Sequence, residues 1–202
     1  MTQTTESEPQ NPRLWRLLAL AVVILAVAVA AASVYLKLPK PLADIPMVDQ
    51  TGKTVRLSDY RGKWLLVYFG YTGCPDACPT GLGEIAKALA DLGPDRSVIQ
   101  PIFISLDPKN DEPGRLAAYL PYFDPSFIGL RVEEPALAEV AGQFGVLYVT
   151  AQSPTHGTLI DHSLYSYLVD PEGVKRETFA TLFPPDFLRK RLIQHGWKGV
   201  SR

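Results

Sequence analysis

The chain has 202 residues, 20 Lys and Arg against 21 Asp and Glu, a formal net charge of −1, and 47% hydrophobic residues. Its basic residues are scattered among nearly equal acids, so there is no basic stripe to hold a polyanion, which argues against nucleic-acid binding. Two cysteines and three histidines are a thin supply for a structural zinc site, which takes four protein ligands.

The chain begins with a short polar tail, residues 1–16. Residues 17–36 (LLALAVVILAVAVAAASVYL) then run uncharged between Arg16 and Lys37. A helix of that length matches the ~30 Å hydrocarbon core of a bilayer. The run is longer than the apolar region of a secretory signal, usually about 7–15 residues, so an uncleaved transmembrane anchor is expected, although Ala28, Ala30, Ala31 and Ala32 offer small-residue cleavage sites. Arg13 and Arg16 before the span balance Lys37 and Lys40 after it, so the positive-inside count is a tie. A short head before a long following domain fits a signal anchor in a bacterial inner membrane, with the domain facing the periplasm. Glu6 and Glu8 do not suit a mitochondrial transit peptide. A Pro-rich spacer, residues 37–46, leads to one domain, residues 47–202, long enough for a sizeable core.

In that domain residues 47–57 read as a hairpin turning at Thr51-Gly52, and residues 63–69 (KWLLVYF) as a strand buried on both faces. Both cysteines follow at once, in FGYTGCPDACPT. Residues 79–93 keep a helical apolar spacing through Leu82, Ile85, Ala86, Leu89 and Leu92, with Pro79 suited to the first helical position and Gly93 to the C-terminal cap. Residues 97–106 form a second buried strand, and residues 112–120 and 136–144 two further helices, the latter closed by Gly145. Residues 163–169 and 174–179 flank the turn signal DPEG, and residues 185–195 supply the last helix. Strand, helix, strand, then a hairpin and a helix is the thioredoxin order: an α/β fold with a central mixed sheet, preceded here by an N-terminal transmembrane helix.

Cys74 and Cys78 thus fall between a buried strand and the helix it feeds. The positive end of that helix favours thiolate over thiol, and thiolates are both nucleophiles and soft metal ligands. Redox exchange and copper binding both remain open on this loop alone. Three residues separate the thiols, where the usual redox motif has two, which leaves room for an ion. Cu(I) accepts two thiolates and an imidazole. His162, just before the strand at residues 163–169, is the best third ligand; His156 lies in a Ser, Pro, Thr and Gly-rich loop, and His195 near the end of the last helix suits a capping or surface role.

The motifs YFGYTGCPDACPT, SLDP and DHSLYSYLVDPEG resemble, in order and type, those of the Sco/SenC family, membrane-anchored copper proteins of cytochrome c oxidase assembly. The resemblance implies a thioredoxin-like fold and one copper ion, Cu(I) or Cu(II), on Cys74, Cys78 and His162, with a supporting role for Asp161. It also implies cytochrome c oxidase subunit II as acceptor and another periplasmic copper chaperone as a candidate donor. Gly73 stands where the family often has a polar residue. The alternative function is a thiol-disulfide oxidoreductase with Cys74 and Cys78 as its redox pair. A purely structural disulfide closing so short a loop would stabilise little. A peroxidase needs Thr three and Pro seven positions before its cysteine; those positions hold Pro75 and Tyr71 before Cys78, and Tyr71 and Val67 before Cys74.

Overall fold

The computed structural model describes residues 11–37, 39–153, 157–184 and 186–199. The chain forms two compact units, residues 1–40 and 41–202. In the first, helix α1 (Pro12–Lys37) contains a 21-residue stretch, Arg13–Ser33, long and apolar enough to cross a membrane.

The second unit is built on strands β1 (Met47–Asp49), β2 (Thr54–Val55), β3 (Trp64–Gly70), β4 (Ile99–Ser105), β5 (Ile128–Arg131), β6 (Tyr148–Ser153), β7 (Gly157–His162), β8 (Tyr165–Val169) and β9 (Lys175–Ala180). Helices α2 (Ala77–Asp91), α3 (Pro113–Tyr119), α4 (Ala136–Phe144) and α5 (Phe187–Gln194) connect and follow them. Seven strands make one mixed sheet in the order β2-β1-β5-β4-β3-β8-β9, while β6 and β7 pair only with each other. β3 runs parallel to β4 from Trp64↔Ile99 to Gly70↔Ser105, and antiparallel to β8 on its other side.

The apolar run of β3 is explained by its place: all seven of its residues are buried. Leu82, Ile85 and Leu89 of α2, Leu137, Val140 and Phe144 of α4, and Leu188 and Leu192 of α5 join it in one core. Phe69, Phe144 and Tyr167 meet edge to face with centroids 5.2–5.8 Å apart. Each such ring contributes about 1.5–3 kcal/mol by burial. Gly145 closes α4 at φ 76°, donating to the carbonyls of Ala141 and Gly142, as its place in the sequence implies. Gly93, after α2, likewise takes a positive φ of 59°.

The structure departs from the sequence reading in three places. α2 begins at Ala77, ahead of Pro79, so Cys78 lies within its first turn. β5 is an additional strand, four residues long and parallel to β4. The residues before His162 form β7, paired with β6 from Tyr148↔His162 to Ser153↔Gly157, so His162 ends one strand instead of preceding another within a loop. Upstream, Pro41 bridges to Val174, and Leu42 donates to the carbonyl of Gly173, which joins the end of the Pro-rich spacer to the second unit.

Candidate metal centre

The parallel pairing of β3 and β4 brings the loops after both strands to one edge, with the N–H of Leu106 donating to the carbonyl of Gly70 at 2.8 Å. A fully buried carboxylate, Asp111, ties the two loops together. It accepts the Thr72 N–H at 3.1 Å, the Thr72 hydroxyl at 2.5 Å and the Ser105 hydroxyl at 2.6 Å, with the Arg115 guanidinium 3.9 Å away. A buried anion so fully bonded fixes its neighbours, and Thr72 stands two residues before Cys74.

Both cysteines are free; Cys74 is half-buried and Cys78 fully buried. The N–H of Cys78 donates to the Cys74 sulfur at 3.4 Å, and the Cys78 sulfur lies 3.5 Å from Nε2 of His162, 84 residues further along the chain. Nδ1 of His162 is 3.1 Å from the Ser163 carbonyl. That acceptor assigns the ring proton to Nδ1 and turns the Nε2 lone pair toward the sulfur, the tautomer a metal ligand needs. The rings of Tyr68 and Tyr71 stand edge-on to the imidazole at 6.4 and 6.3 Å. The Tyr71 hydroxyl accepts the Ile160 N–H at 3.3 Å and so pins β7 over the thiol loop.

Two glycines make room for this packing. A methyl group at Gly70 would lie 2.9 Å from the Cys78 sulfur, and one at Gly81 would lie 2.8 Å from the Tyr68 hydroxyl oxygen. Gly73 is exposed, and a side chain there would meet the Tyr71 ring at an ordinary 3.5 Å, so a polar residue fits.

Burial pushes the Cys78 thiol up to about 12, although the Tyr71 backbone N–H and the Tyr68 hydroxyl act in the opposite direction. Burial also lowers His162, which is held neutral. The sequence reading expected the helix end to favour a Cys78 thiolate. In the metal-free protein desolvation outweighs that effect, because a partial charge at a helix end contributes roughly 0.3–1 kcal/mol while burying an unpaired anion costs more. A soft cation that displaces the proton meets a thiolate and a neutral imidazole in the same dry site.

Cys78 and His162 are therefore brought together, and Cys74 adjoins them through the Cys78 N–H. Among the described residues, no three His, Cys, Asp or Glu side chains are gathered closely enough to hold a metal ion. Asp161 is exposed and acts on His162 only through its charge; the Ser163 carbonyl orients the ring. His195 bonds Glu177 at 3.1 Å, and His156 lies outside the described residues. Sequence reasoning missed Asp111, Tyr68 and Tyr119. The Tyr119 hydroxyl is buried with no hydrogen-bond partner among the described residues. Gly70 at the end of an apolar strand and Gly81 inside a helical pattern were the available signals of close packing here.

The family model described as SCO1/SenC matches residues 43–195. A SCO2-like protein of Rickettsia conorii is 37% identical over 132 residues, 64% of this chain and 64% of that protein, so the match spans just under two thirds of the relative's length. Bradyrhizobium japonicum ScoI, solved with copper bound, aligns with a TM-score of 0.70 at 33% identity, covering 77% of this chain and 99% of that one. Yeast Sco1, also solved with copper bound, aligns with a TM-score of 0.69 at 29% identity, covering 78% of this chain and 88% of that one.

Proposed function

Because this chain belongs to the SCO1/SenC family, we propose that Cys74, Cys78 and His162 take up one copper ion as cargo and deliver it to the binuclear copper site of cytochrome c oxidase subunit II. The observation that carries this reading is the 3.5 Å approach of the Cys78 sulfur to a His162 ring whose Nδ1 is already satisfied. Two thiolates and a neutral imidazole suit Cu(I), and the imidazole adds to the hold on Cu(II).

Delivery follows from the difference in burial. Cys74 is the accessible donor, so an acceptor ligand displaces it first, and the acceptor's next donors then replace Cys78 and His162. Oxidation of the two thiols to a disulfide by exchange with another protein's disulfide, which takes up the two electrons and leaves as two thiols, would remove both thiolates and release the ion. Helix α1 anchors the domain as a single pass in a bacterial inner membrane, with the domain facing the periplasm, where another copper chaperone loads it.

The partly exposed Cys74 beside a buried partner also supports a second reading, reduction of the acceptor's cysteines. In that reaction the Cys74 thiolate attacks a disulfide sulfur of the partner, and one partner thiolate leaves. The Cys78 thiolate then attacks the mixed disulfide, releasing the partner's second thiolate and leaving a Cys74–Cys78 disulfide.

The test uses the full-length chain in detergent, reduced and kept from air. It binds one equivalent of copper, Cys74→Ser and Cys78→Ser abolish tight binding, His162→Ala weakens it, most of all for Cu(II), and His195→Ala retains it. Full copper retention by either serine variant would overturn the site. In cells, loss of the protein lowers oxidase activity and added copper partly restores it. His162→Ala separates the readings because it removes a metal ligand and spares the dithiol. Normal oxidase assembly with His162→Ala, together with failure of Cys74→Ser, would favour the reductase.

A further inference from the structure

The turn that carries Cys74 is held from outside the donor set. The Cys74 N–H donates to the Tyr71 carbonyl at 3.2 Å, which closes residues 71–74 into one turn. Gly73, Pro75 and Asp76 beside the cysteine are exposed, so the turn has little packing of its own on that side. Two tethers fix its leading half. The Tyr71 hydroxyl accepts the Ile160 N–H at 3.3 Å. The Thr72 N–H donates to the Asp111 carboxylate at 3.1 Å, and the Thr72 hydroxyl donates to the same carboxylate at 2.5 Å while accepting the Arg115 Nε–H at 2.5 Å. With one acceptor and one donor assigned, the direction of that hydroxyl is set. Asp111 is itself held, because the Ser105 hydroxyl at the end of β4 donates to it at 2.6 Å and its own N–H donates to the Asp107 carbonyl at 2.9 Å.

We propose that Asp111, acting through the Thr72 hydroxyl, is a positioning residue for Cys74: it holds the turn of residues 71–74 against the end of β4, so that the half-buried sulfur stays beside the Cys78 N–H before any ion arrives. The inference rests on the copper reading given above and adds to it a residue outside the three ligands. Without the clamp the turn has to be ordered as the ion binds, and that ordering is subtracted from the affinity. Groups that orient a metal ligand from behind typically carry about 10–100-fold of the metal affinity. Thr72 stands two residues from its ligand, so the low end of that range applies.

The experiment uses the full-length chain in detergent, reduced and kept from air, with Thr72→Val, which keeps the branched shape without the hydroxyl, and Thr72→Ser, which keeps the hydroxyl. Ser126→Ala is the control for a loss of stability alone. There Asp124 accepts the Ser126 N–H at 2.9 Å and hydroxyl at 2.6 Å and is paired with Arg96, a cluster of the same kind ahead of β5, at the end of the sheet opposite the thiol loop. The readouts are the Cu(I) Kd by chelator competition, hydrogen exchange of the amides of residues 72–74 in the metal-free protein, and the denaturant midpoint. The expected result is a Kd about tenfold higher in Thr72→Val, with faster exchange at residues 72–74, and both restored in Thr72→Ser. Ser126→Ala lowers the midpoint and leaves the Kd and that exchange as in wild type. Asp111→Ala shows the same two changes as Thr72→Val; the Thr72 pair decides where that variant is too unstable to purify. A folded Thr72→Val with the wild-type Kd overturns the proposal and leaves the copper reading standing, and so does an equal loss of affinity in Ser126→Ala. A wild-type chain that binds no copper overturns the copper reading, and exchange at residues 72–74 then decides the clamp by itself.

Discussion

At the residue scale the centre is governed by one competition, over the charge of Cys78. The helix end draws the sulfur toward thiolate, and complete burial pushes it back to thiol, to about 12. Burial wins until a cation arrives, so cation binding and proton loss are one event. Cu(I) binding therefore releases the Cys78 proton throughout the neutral range, and the apparent Kd rises about tenfold for each unit the pH falls, from this thiol alone. Competition against a Cu(I) chelator of known affinity across neutral pH measures that slope. A flat profile would show that Cys78 is already ionised in the free protein and that the burial argument fails. The sequence made the ligand candidates legible, because Cys74, Cys78 and His162 are scarce residue types in motif context. It did not make their protonation legible, since spacing carries no information about dielectric.

At the element scale, helix α2 carries the thiol end of the site, and its two inner glycines should respond oppositely to alanine. Gly83 has nothing within 4 Å of where a methyl group would stand, so Gly83→Ala gains helix propensity and stabilises by about 0.5–1 kcal/mol. Gly81 offers the same propensity gain, yet its methyl group would press on the Tyr68 oxygen at 2.8 Å and on its ring carbon at 2.9 Å. Overpacking against a rigid buried ring costs about 1–3 kcal/mol, which outweighs the gain, so Gly81→Ala destabilises. Denaturant midpoints at constant m-value read both signs, and a stabilised Gly81→Ala would mean that the seat of Tyr68 is loose. Elements with strong sequence signals were readable: the run read at residues 63–69 became β3, Trp64–Gly70, whose residues are all buried, and α4 spans the expected residues. The β6 and β7 pair was hidden by its connection, whose Ser, Pro, Thr and Gly content signals a loop and masks the flanking strand residues. β5 was missed because four residues give too short a run for a period to show.

For the whole molecule, the two units make separate demands. The helix of residues 13–33 is long and apolar enough to cross a bilayer, while the second unit closes its own core. Membrane fractions should retain the full chain through alkaline carbonate washing. In intact cells with a permeabilised outer membrane, added protease should remove the domain; full protection there would place it on the cytoplasmic side. The overall order of strands and helices could be read from the sequence because β3 and β4 are apolar runs each followed by a helix, and a turn signal separates β8 from β9. The side on which the domain lies could not, because the flanking charges balance.

The β6–β7 ribbon stands apart from the seven-stranded sheet, and it ends in His162, while Cys78 sits on α2, 84 residues away. Any ion shared by those two side chains is a reversible staple across that length of chain. Closing a loop of this size in the unfolded ensemble corresponds to about 4–5 kcal/mol in the chain-entropy account of a covalent cross-link. Loading would therefore hold the ribbon against the body of the domain, and a substitution that weakens the β6–β7 pairing is expected to lower the stability gained on adding copper.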